Sequence, residues 1–173
     1  IAGRAVPCVE GDVRSSRDMD RLFDQYPISA VIHFAGLKAV GESVARPLDY
    51  YANNVGGLLA LCEVMQAAGC RHLVFSSSAT VYGKPERLPI REDSPLSTTN
   101  PYGATKLMGE QILRDLGVTS VRLMSNNPAK RNYLDEAGIE VTSYVPVIVG
   151  LAAQNEKYLE TKRERMGHLL PDA

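Results

Sequence analysis

The residues best suited to chemistry are a serine, a tyrosine and a lysine near the middle of the chain. Ser78 follows a strand-like run, Tyr102 comes 24 residues later, and Lys106 follows Tyr102 by four residues. A tyrosine and a lysine with that spacing lie on one face of a helix. A phenol has an ordinary pKa of about 10, which a nearby ammonium lowers by stabilising the phenolate. The three residues therefore predict a proton shuttle for oxidising a secondary alcohol, in which Ser78 binds the same substrate oxygen.

The pairing of Tyr102 with Lys106 also has a simpler explanation, because such pairs occur on many helix surfaces. The preceding stretch favours the catalytic interpretation. It is serine-rich and reads Phe75-Ser76-Ser77-Ser78-Ala79-Thr80-Val81-Tyr82-Gly83. The long connection over 79–101 supports the same interpretation, since loops of that length in compact domains are usually functional.

Strand and helix patterns alternate along the chain and must position these residues. Apolar runs predict strands over 5–9, 30–34, 73–77, 118–124 and 139–145, with 147–150 as a further candidate. Apolar stripes at helical spacing predict a helix that Ser15 or Ser16 caps and that runs to about Gln25, and a helix over 48–68 that Gly69 ends. They predict further helices over 102–116, 127–138 and 155–166. The alternation predicts one α/β domain over 1–173 with a mainly parallel sheet of five or six strands. The strands near 30–34, 73–77 and 120–124 should be central neighbours, with 30–34 buried on both faces.

Composition and charge exclude several classes of protein. The 173 residues carry 19 Lys plus Arg against 20 Asp plus Glu, so no basic surface for nucleic acid is expected. No apolar run approaches the roughly 20 residues of a membrane helix, and we expect no membrane partner. Cys8, Cys62 and Cys70 lack a Cys-x-x-Cys spacing, which favours buried free thiols in a cytoplasmic protein over disulfides or a metal site. The chain begins without Met and is interpreted as part of a longer protein.

Further segments carry a resemblance over residues 5–116. They read His33-Phe34-Ala35-Gly36-Leu37-Lys38-Ala39-Val40-Gly41-Glu42-Ser43 and Tyr50-Tyr51-Ala52-Asn53-Asn54-Val55. Together with the serine, tyrosine and lysine pattern, they resemble the UDP-glucose 4-epimerase family of extended short-chain dehydrogenases/reductases, the isomerases of galactose metabolism. The resemblance implies a parallel, Rossmann-like three-layer α/β fold and NAD as cofactor. It also implies that a tyrosine removes the C4 hydroxyl proton of a UDP-sugar while hydride passes to NAD and returns on the other face.

The resemblance implies roles by position. The catalytic residues are Ser78, Tyr102 and Lys106. The cofactor-binding residues are Asp12 and Val13 at the adenosine end, Phe34, Ala35, Gly36 and Lys38 along the cofactor, Asn53, and Lys106 at the ribose. For His33 we expect a core imidazole rather than a catalytic group, and no metal site is implied. The first two strands of that family and its Gly-rich phosphate-binding turn have no counterpart in this sequence. We therefore expect a fold without them, weak NAD binding and little or no turnover.

A second resemblance covers residues 109–170. It is carried by Val121 to Lys130, Gly138 to Val141, Val145 to Gly150 and Asn155 to Leu170. These segments resemble the C-terminal part of GTP cyclohydrolase II, an enzyme family of riboflavin biosynthesis. By position, Ser125 and Lys130 would contact GTP. The zinc-binding cysteine cluster and catalytic arginine of that family have no counterpart here, so we expect no cyclohydrolase activity.

The two resemblances overlap at 109–117, which suggests a chimera or fusion of the two families. Three hypotheses stay open. The chain is an epimerase-derived NAD-binding fragment, a chimera whose role is structural, or a module that binds GTP or another nucleotide through its phosphates. We predict a nucleotide sugar or nucleotide as partner, and a homodimer stays open.

Overall fold

The computed structural model describes residues 6–85, 90, 94–117, 120–124, 140–145, 160 and 163. The elements in the first half are α1 (Ser16–Gln25), β1 (Ala30–His33), α2 (Val40–Ala45), α3 (Pro47–Tyr50), a π-helix (Tyr51–Gly56) and α4 (Gly57–Ala67). They are followed by β2 (His72–Phe75), a 3₁₀-helix (Ala79–Tyr82), α5 (Pro101–Asp115), β3 (Ser120–Met124) and β4 (Glu140–Val145). No helix in these ranges has the length and apolar character needed to span a membrane.

The chain divides into two compact units, one of residues 1–83 with 97–111 and the other of residues 84–96 with 112–173. The first unit contains the predicted catalytic residues. The single domain over 1–173 stays a prediction.

The core of the first unit forms where α1 and α4 meet one face of the β1–β2 pair. Ser15 caps α1 by accepting a hydrogen bond from the backbone N–H of Asp18 at 3.2 Å, as predicted. The buried cluster consists of Leu61, Met65 and Cys70. Residues of α1 and of the two strands pack against it, including Met19, Phe23, Val31 and Leu73.

β1 and β2 pair in parallel, with Val31 opposite Leu73 and His33 opposite Phe75. Val31 and Leu73 contact the core, whereas the alternate residues Ile32 and Val74 are 61% and 39% exposed. The prediction that this strand is buried on both faces is therefore wrong. Successive strand residues point to opposite faces, and α1 and α4 contribute to the cluster on the Val31 face.

The predicted strand over 5–9 is wrong for the residues that the structure describes there. Residues 6–9 are irregular, and Val6 and Val9 are 65% and 40% exposed. A strand over 6–9 would need a neighbouring strand to pair with its backbone groups. In the described sheet, the strand that pairs with β1 is β2. The cysteines are free, but Cys8 lies in this exposed segment, so its predicted burial is also wrong. Cys70 is buried as expected.

The helix predicted over 48–68 is a composite of α3, the π-helix and α4 that begins at Pro47. Gly57 allows close packing at the start of α4, because a Cβ there would lie only 2.8 Å from Cγ1 of Val13. Gly69, with a φ of +69°, follows α4 as predicted.

In the second unit, β3 and β4 pair in parallel, with an irregularity between Val121 and Arg122. This pair confirms the strands predicted near 118–124 and 139–145. Pairing of β2 with β3, which the alternation predicts, is not among the hydrogen-bonded pairs of the described strands. The predicted helix over 127–138 and the candidate strand over 147–150 lie outside the described residues. Of the helix predicted over 155–166, Glu160 and Arg163 are described, and both are helical.

Candidate active site

α5 carries Tyr102 and Lys106 one helical turn apart. The helix begins at Pro101, whose fixed φ and missing N–H suit a first helical position. Asn100 precedes it, and its Oδ1 accepts a hydrogen bond from the N–H of Gly103 at 2.8 Å. The Asn-Pro pair thus fixes the start of α5 and the register of both residues on its first turns.

Lys106 is only 9% exposed, which is unusual for a lysine. Its Nζ donates to the backbone carbonyl of Ser76 at 2.8 Å and lies 5.1 Å from the centre of the Phe75 ring. The carbonyl dipole and the ring face both stabilise the cation. Burial lowers the pKa of Lys106 below its ordinary value. The result is a fixed ammonium on the residue one helical turn after Tyr102.

Ser78 lies immediately before the 3₁₀-helix and caps it. Its Oγ accepts hydrogen bonds from the N–H and the hydroxyl of Thr80 at 3.3 and 3.0 Å. The backbone of this turn packs closely against α5, because a Cβ on Gly103 would lie 2.8 Å from the carbonyl oxygen of Thr80. Gly103 follows Tyr102 directly, so the structure brings the Ser78 turn beside the start of the helix that carries the tyrosine and lysine.

The loop after β1 is held near the same place by the side chain of Asn54. Oδ1 of Asn54 accepts from the N–H of Leu37 at 2.8 Å, and its Nδ2 donates to the Leu37 carbonyl at 2.9 Å. A Cβ on Gly36 would lie 3.2 Å from Asn54 Oδ1 and 3.8 Å from Lys106 Nζ. The loop therefore passes directly over the lysine, and Gly36 leaves space there.

Asn54 and Thr105 were not predicted as site residues. Asn54 Nδ2 also donates to Oγ1 of Thr105 at 3.0 Å, and that hydroxyl donates to the Tyr102 carbonyl at 2.8 Å. Both side chains are buried. The sequence signal was the pair of polar residues Asn53-Asn54 inside an otherwise apolar helix pattern. Asn53 donates to Asn54 Oδ1 at 3.1 Å and completes its hydrogen bonding.

His33 is buried and stacks on Phe75, with ring centres 6.2 Å apart. Burial lowers the pKa of His33 below its ordinary value, and the charge of Lys106 lowers it further. The imidazole is therefore a core group, as expected from the sequence, and it responds to the position of the lysine.

The remaining predicted cofactor residues are dispersed. Phe34, Ala35 and Lys38 are exposed along the loop. Asp12 is at the surface, and its carboxylate pairs with the Arg14 guanidinium at 2.6 Å. Hydrogen bonds from Arg14 hold the pKa of Asp12 at about 2. Val13 packs against Gly57 at the start of α4.

Ser125 and Lys130 lie outside the described residues. In the ranges that are described, no group of three or more His, Cys, Asp and Glu side chains is arranged to hold a metal ion.

The family is decided by a match along most of the chain. The NAD dependent epimerase/dehydratase family matches residues 2–129. The chain belongs to this family. It is 60% identical over 116 residues to the UDP-glucose 4-epimerase of Bacillus subtilis and 53% identical over 117 residues to that of Homo sapiens. Each of these matches covers 67% of this chain and 34% of the relative, so the chain spans about a third of the length of the curated relatives it matches.

Solved epimerase structures share the fold. The UDP-glucose 4-epimerase of Bifidobacterium longum, in complex with NAD+ and UDP, superposes with a TM-score of 0.66 and 49% identity over 72% of this chain and 39% of that one. The enzyme of Stenotrophomonas maltophila, with bound NAD and formylated UDP-arabinopyranose, gives a TM-score of 0.62 and 37% identity over 88% of this chain and 45% of that one. These matches confirm the Rossmann-like α/β fold with parallel strands and the resemblance to epimerases.

His33 provides a direct test of the buried site. We expect its imidazole to be mostly neutral at pH 6.5, where an unperturbed histidine is about half protonated. As the pH falls through that value, the imidazole of His33 gains a proton in the unfolded chain before it does so in the folded chain. The free energy of unfolding should therefore decrease as the pH falls below about 6.5. Nitrogen-15 NMR of the imidazoles measures the titration directly.

The same titration in Lys106→Met should move the pKa of His33 upward, because the nearby positive charge is removed. A His33 that titrates at or above its ordinary pKa in the unsubstituted chain would contradict the buried stack.

Proposed function

We propose that this chain carries the proton-transfer site of an NAD-dependent UDP-glucose 4-epimerase. The observation that carries the proposal is the convergence of three segments on Lys106: the loop with Gly36, the residue Ser76 just after β2, and the first turns of α5 with Tyr102. The names of the relatives support the same activity. Because the chain spans about a third of their length, the whole reaction remains a proposal for this chain.

The residues around the lysine fit the cofactor that the family name specifies. Gly36 has no side chain at the position where a Cβ would lie 3.8 Å from Lys106 Nζ, so this residue of the loop does not crowd the ammonium. An ammonium there would bind ribose hydroxyls. When bound, NAD supplies a hydride acceptor for C4 of the sugar. Asp12 would reach the adenosine only in competition with its pairing to Arg14.

The side chains of the chain itself would move the proton. Tyr102, as phenolate, takes the proton from the C4 hydroxyl and later returns it, so the proton is conserved over the cycle. Lys106 places a fixed positive charge one helical turn from Tyr102 on the same face of α5. Ser78 donates a hydrogen bond to the same sugar oxygen once its hydroxyl turns from the Thr80 contact. No external oxidant is consumed, because the hydride removed from C4 is returned to it.

The substitution Tyr102→Phe tests the assignment of the proton shuttle. Conversion of UDP-galactose to UDP-glucose is followed with added NAD, and we expect the unsubstituted chain to be slow. Tyr102→Phe should lower the rate by at least about 100-fold, because it removes the group that accepts the proton. Tyr26→Phe, which changes a half-buried phenol at the end of α1, is the matched control and should keep the rate.

Full activity in Tyr102→Phe would show that the shuttle is misassigned. A chain that neither converts UDP-galactose nor gains thermal stability from UDP-glucose would contradict the proposed function.

The purified chain should not retain NAD. In Rossmann folds, a Gly-rich turn supplies backbone N–H groups that bind the pyrophosphate of the cofactor. No Gly-x-x-Gly-x-x-Gly sequence occurs in this chain, so it lacks that turn. Charge-assisted hydrogen bonds contribute about 1.5–3 kcal/mol each, and about 1.4 kcal/mol is tenfold in affinity. Mass spectrometry of the denatured protein measures bound NAD, and a stoichiometric amount would refute the expectation.

Nucleotide binding through the second unit is the other candidate. The parallel pair of β3 and β4 favours it, because the resemblance to GTP cyclohydrolase II places Ser125 and Lys130 in the connection between these strands. Against it, the family match continues to residue 129, and α5 runs unbroken through most of the proposed 109–117 junction. Thermal stabilisation by GTP but not by UDP-glucose or NAD would favour nucleotide binding by the second unit over the epimerase function.

A further inference from the structure

The last residue of β2 and the two residues that follow it all contact α5. The ring of Phe75 lies against Gly109, where a Cβ would be 2.6 Å from the ring carbon Cζ. The carbonyl of Ser76 accepts from Lys106. The hydroxyl of Ser77 donates to Oε1 of Glu110. The strand itself ends at Phe75, so contacts of this kind must hold the residues that follow it.

The three contact points on the helix share one face. Lys106, Gly109 and Glu110 are spaced i, i+3 and i+4, and Tyr102 lies one turn before Lys106 on the same face. On the strand side, Ser78 directly follows Ser77. The Ser77–Glu110 hydrogen bond therefore ties the residue before the predicted catalytic serine to the helix that carries the predicted catalytic tyrosine and lysine.

We propose that Glu110 is a positioning residue for this site. By accepting the hydrogen bond from Ser77, its carboxylate holds residues 76–78 on α5. This contact keeps the Ser76 carbonyl beneath the Lys106 ammonium and sets the distance between the Ser78 hydroxyl and Tyr102. The catalytic consequence rests on the proposed function, whereas the positioning of Lys106 does not.

Two substitutions remove the contact from opposite sides, and one preserves it. Ser77→Ala removes the donor, Glu110→Ala removes the acceptor, and Glu110→Gln keeps an oxygen acceptor while removing the charge. Ser77 is exposed, so Ser77→Ala is the variant least prone to unfold. Glu63→Ala, which removes an exposed carboxylate from α4, is the matched control.

The first measurement is the NMR titration of His33, whose pKa depends on the nearby Lys106 charge. Both alanine variants should raise the pKa of His33, because the lysine is no longer held beside Phe75. The double variant should show no larger shift than Glu110→Ala alone, since Ser77→Ala removes a bond that Glu110→Ala has already removed. Glu110→Gln and Glu63→Ala should titrate like the unsubstituted chain. An unchanged His33 titration in both alanine variants would overturn the proposal.

The second measurement is turnover of UDP-galactose. The alanine variants should lower kcat about tenfold with little change in KM, because a small misplacement of catalytic groups slows the chemical step. Glu110→Gln should restore most of kcat. A rise in KM alone would overturn the catalytic part of the proposal. If the unsubstituted chain shows no turnover, the proposed function fails, while the His33 titration still decides the positioning of Lys106.

Discussion

The arrangement of the segments in the first unit depends on the buried ammonium of Lys106. A lysine that is nine-tenths buried loses hydration, and it is tolerated only where protein groups replace the lost water. The Ser76 carbonyl and the Phe75 ring do so here; Phe75 is the last residue of β2, and Ser76 follows it directly. The strand end must therefore lie against α5, and Gly109 permits the close approach because a side chain there would meet the Phe75 ring.

A second buried group, the amide of Asn54, joins the loop after β1 to the same helix. Its donors and acceptors are all engaged, by Leu37, Thr105 and Asn53. A buried amide that is fully bonded rigidifies its surroundings, whereas a partly bonded one would be costly. Asn54 lies in a π-helix, a form that is rare in proteins and frequent at functional sites. The site is thus assembled from segments far apart in the chain by two buried polar side chains.

Local signals in the sequence predicted the elements well. Ser15 as the cap of α1 and Gly69 after α4 are short-range features whose physics is contained in a few residues. Asn100-Pro101 before α5 is a feature of the same kind, although the helix was predicted only from Tyr102 onward. The spacing of Tyr102 and Lys106 likewise predicted a shared helix face.

Long-range features were not predictable in the same way. The contacts of Asn54 with Leu37 and Thr105, and of Glu110 with Ser77, join residues separated by 17, 51 and 33 positions. Periodicity carries no information about such pairs. The exposure of Ile32 was missed for a related reason, since an apolar run predicts a strand but does not show which helices cover each of its faces.

The most direct test of the account is to map where a UDP-sugar binds. The nitrogen-15-labelled chain is titrated with UDP-glucose in the presence of NAD, and the backbone amide shifts are followed by NMR. We predict that the largest changes fall on residues 36–38, 76–80 and 102–106, which surround Lys106. Changes confined to residues 120–124 and 140–145, or no changes at saturating sugar concentrations, would contradict it.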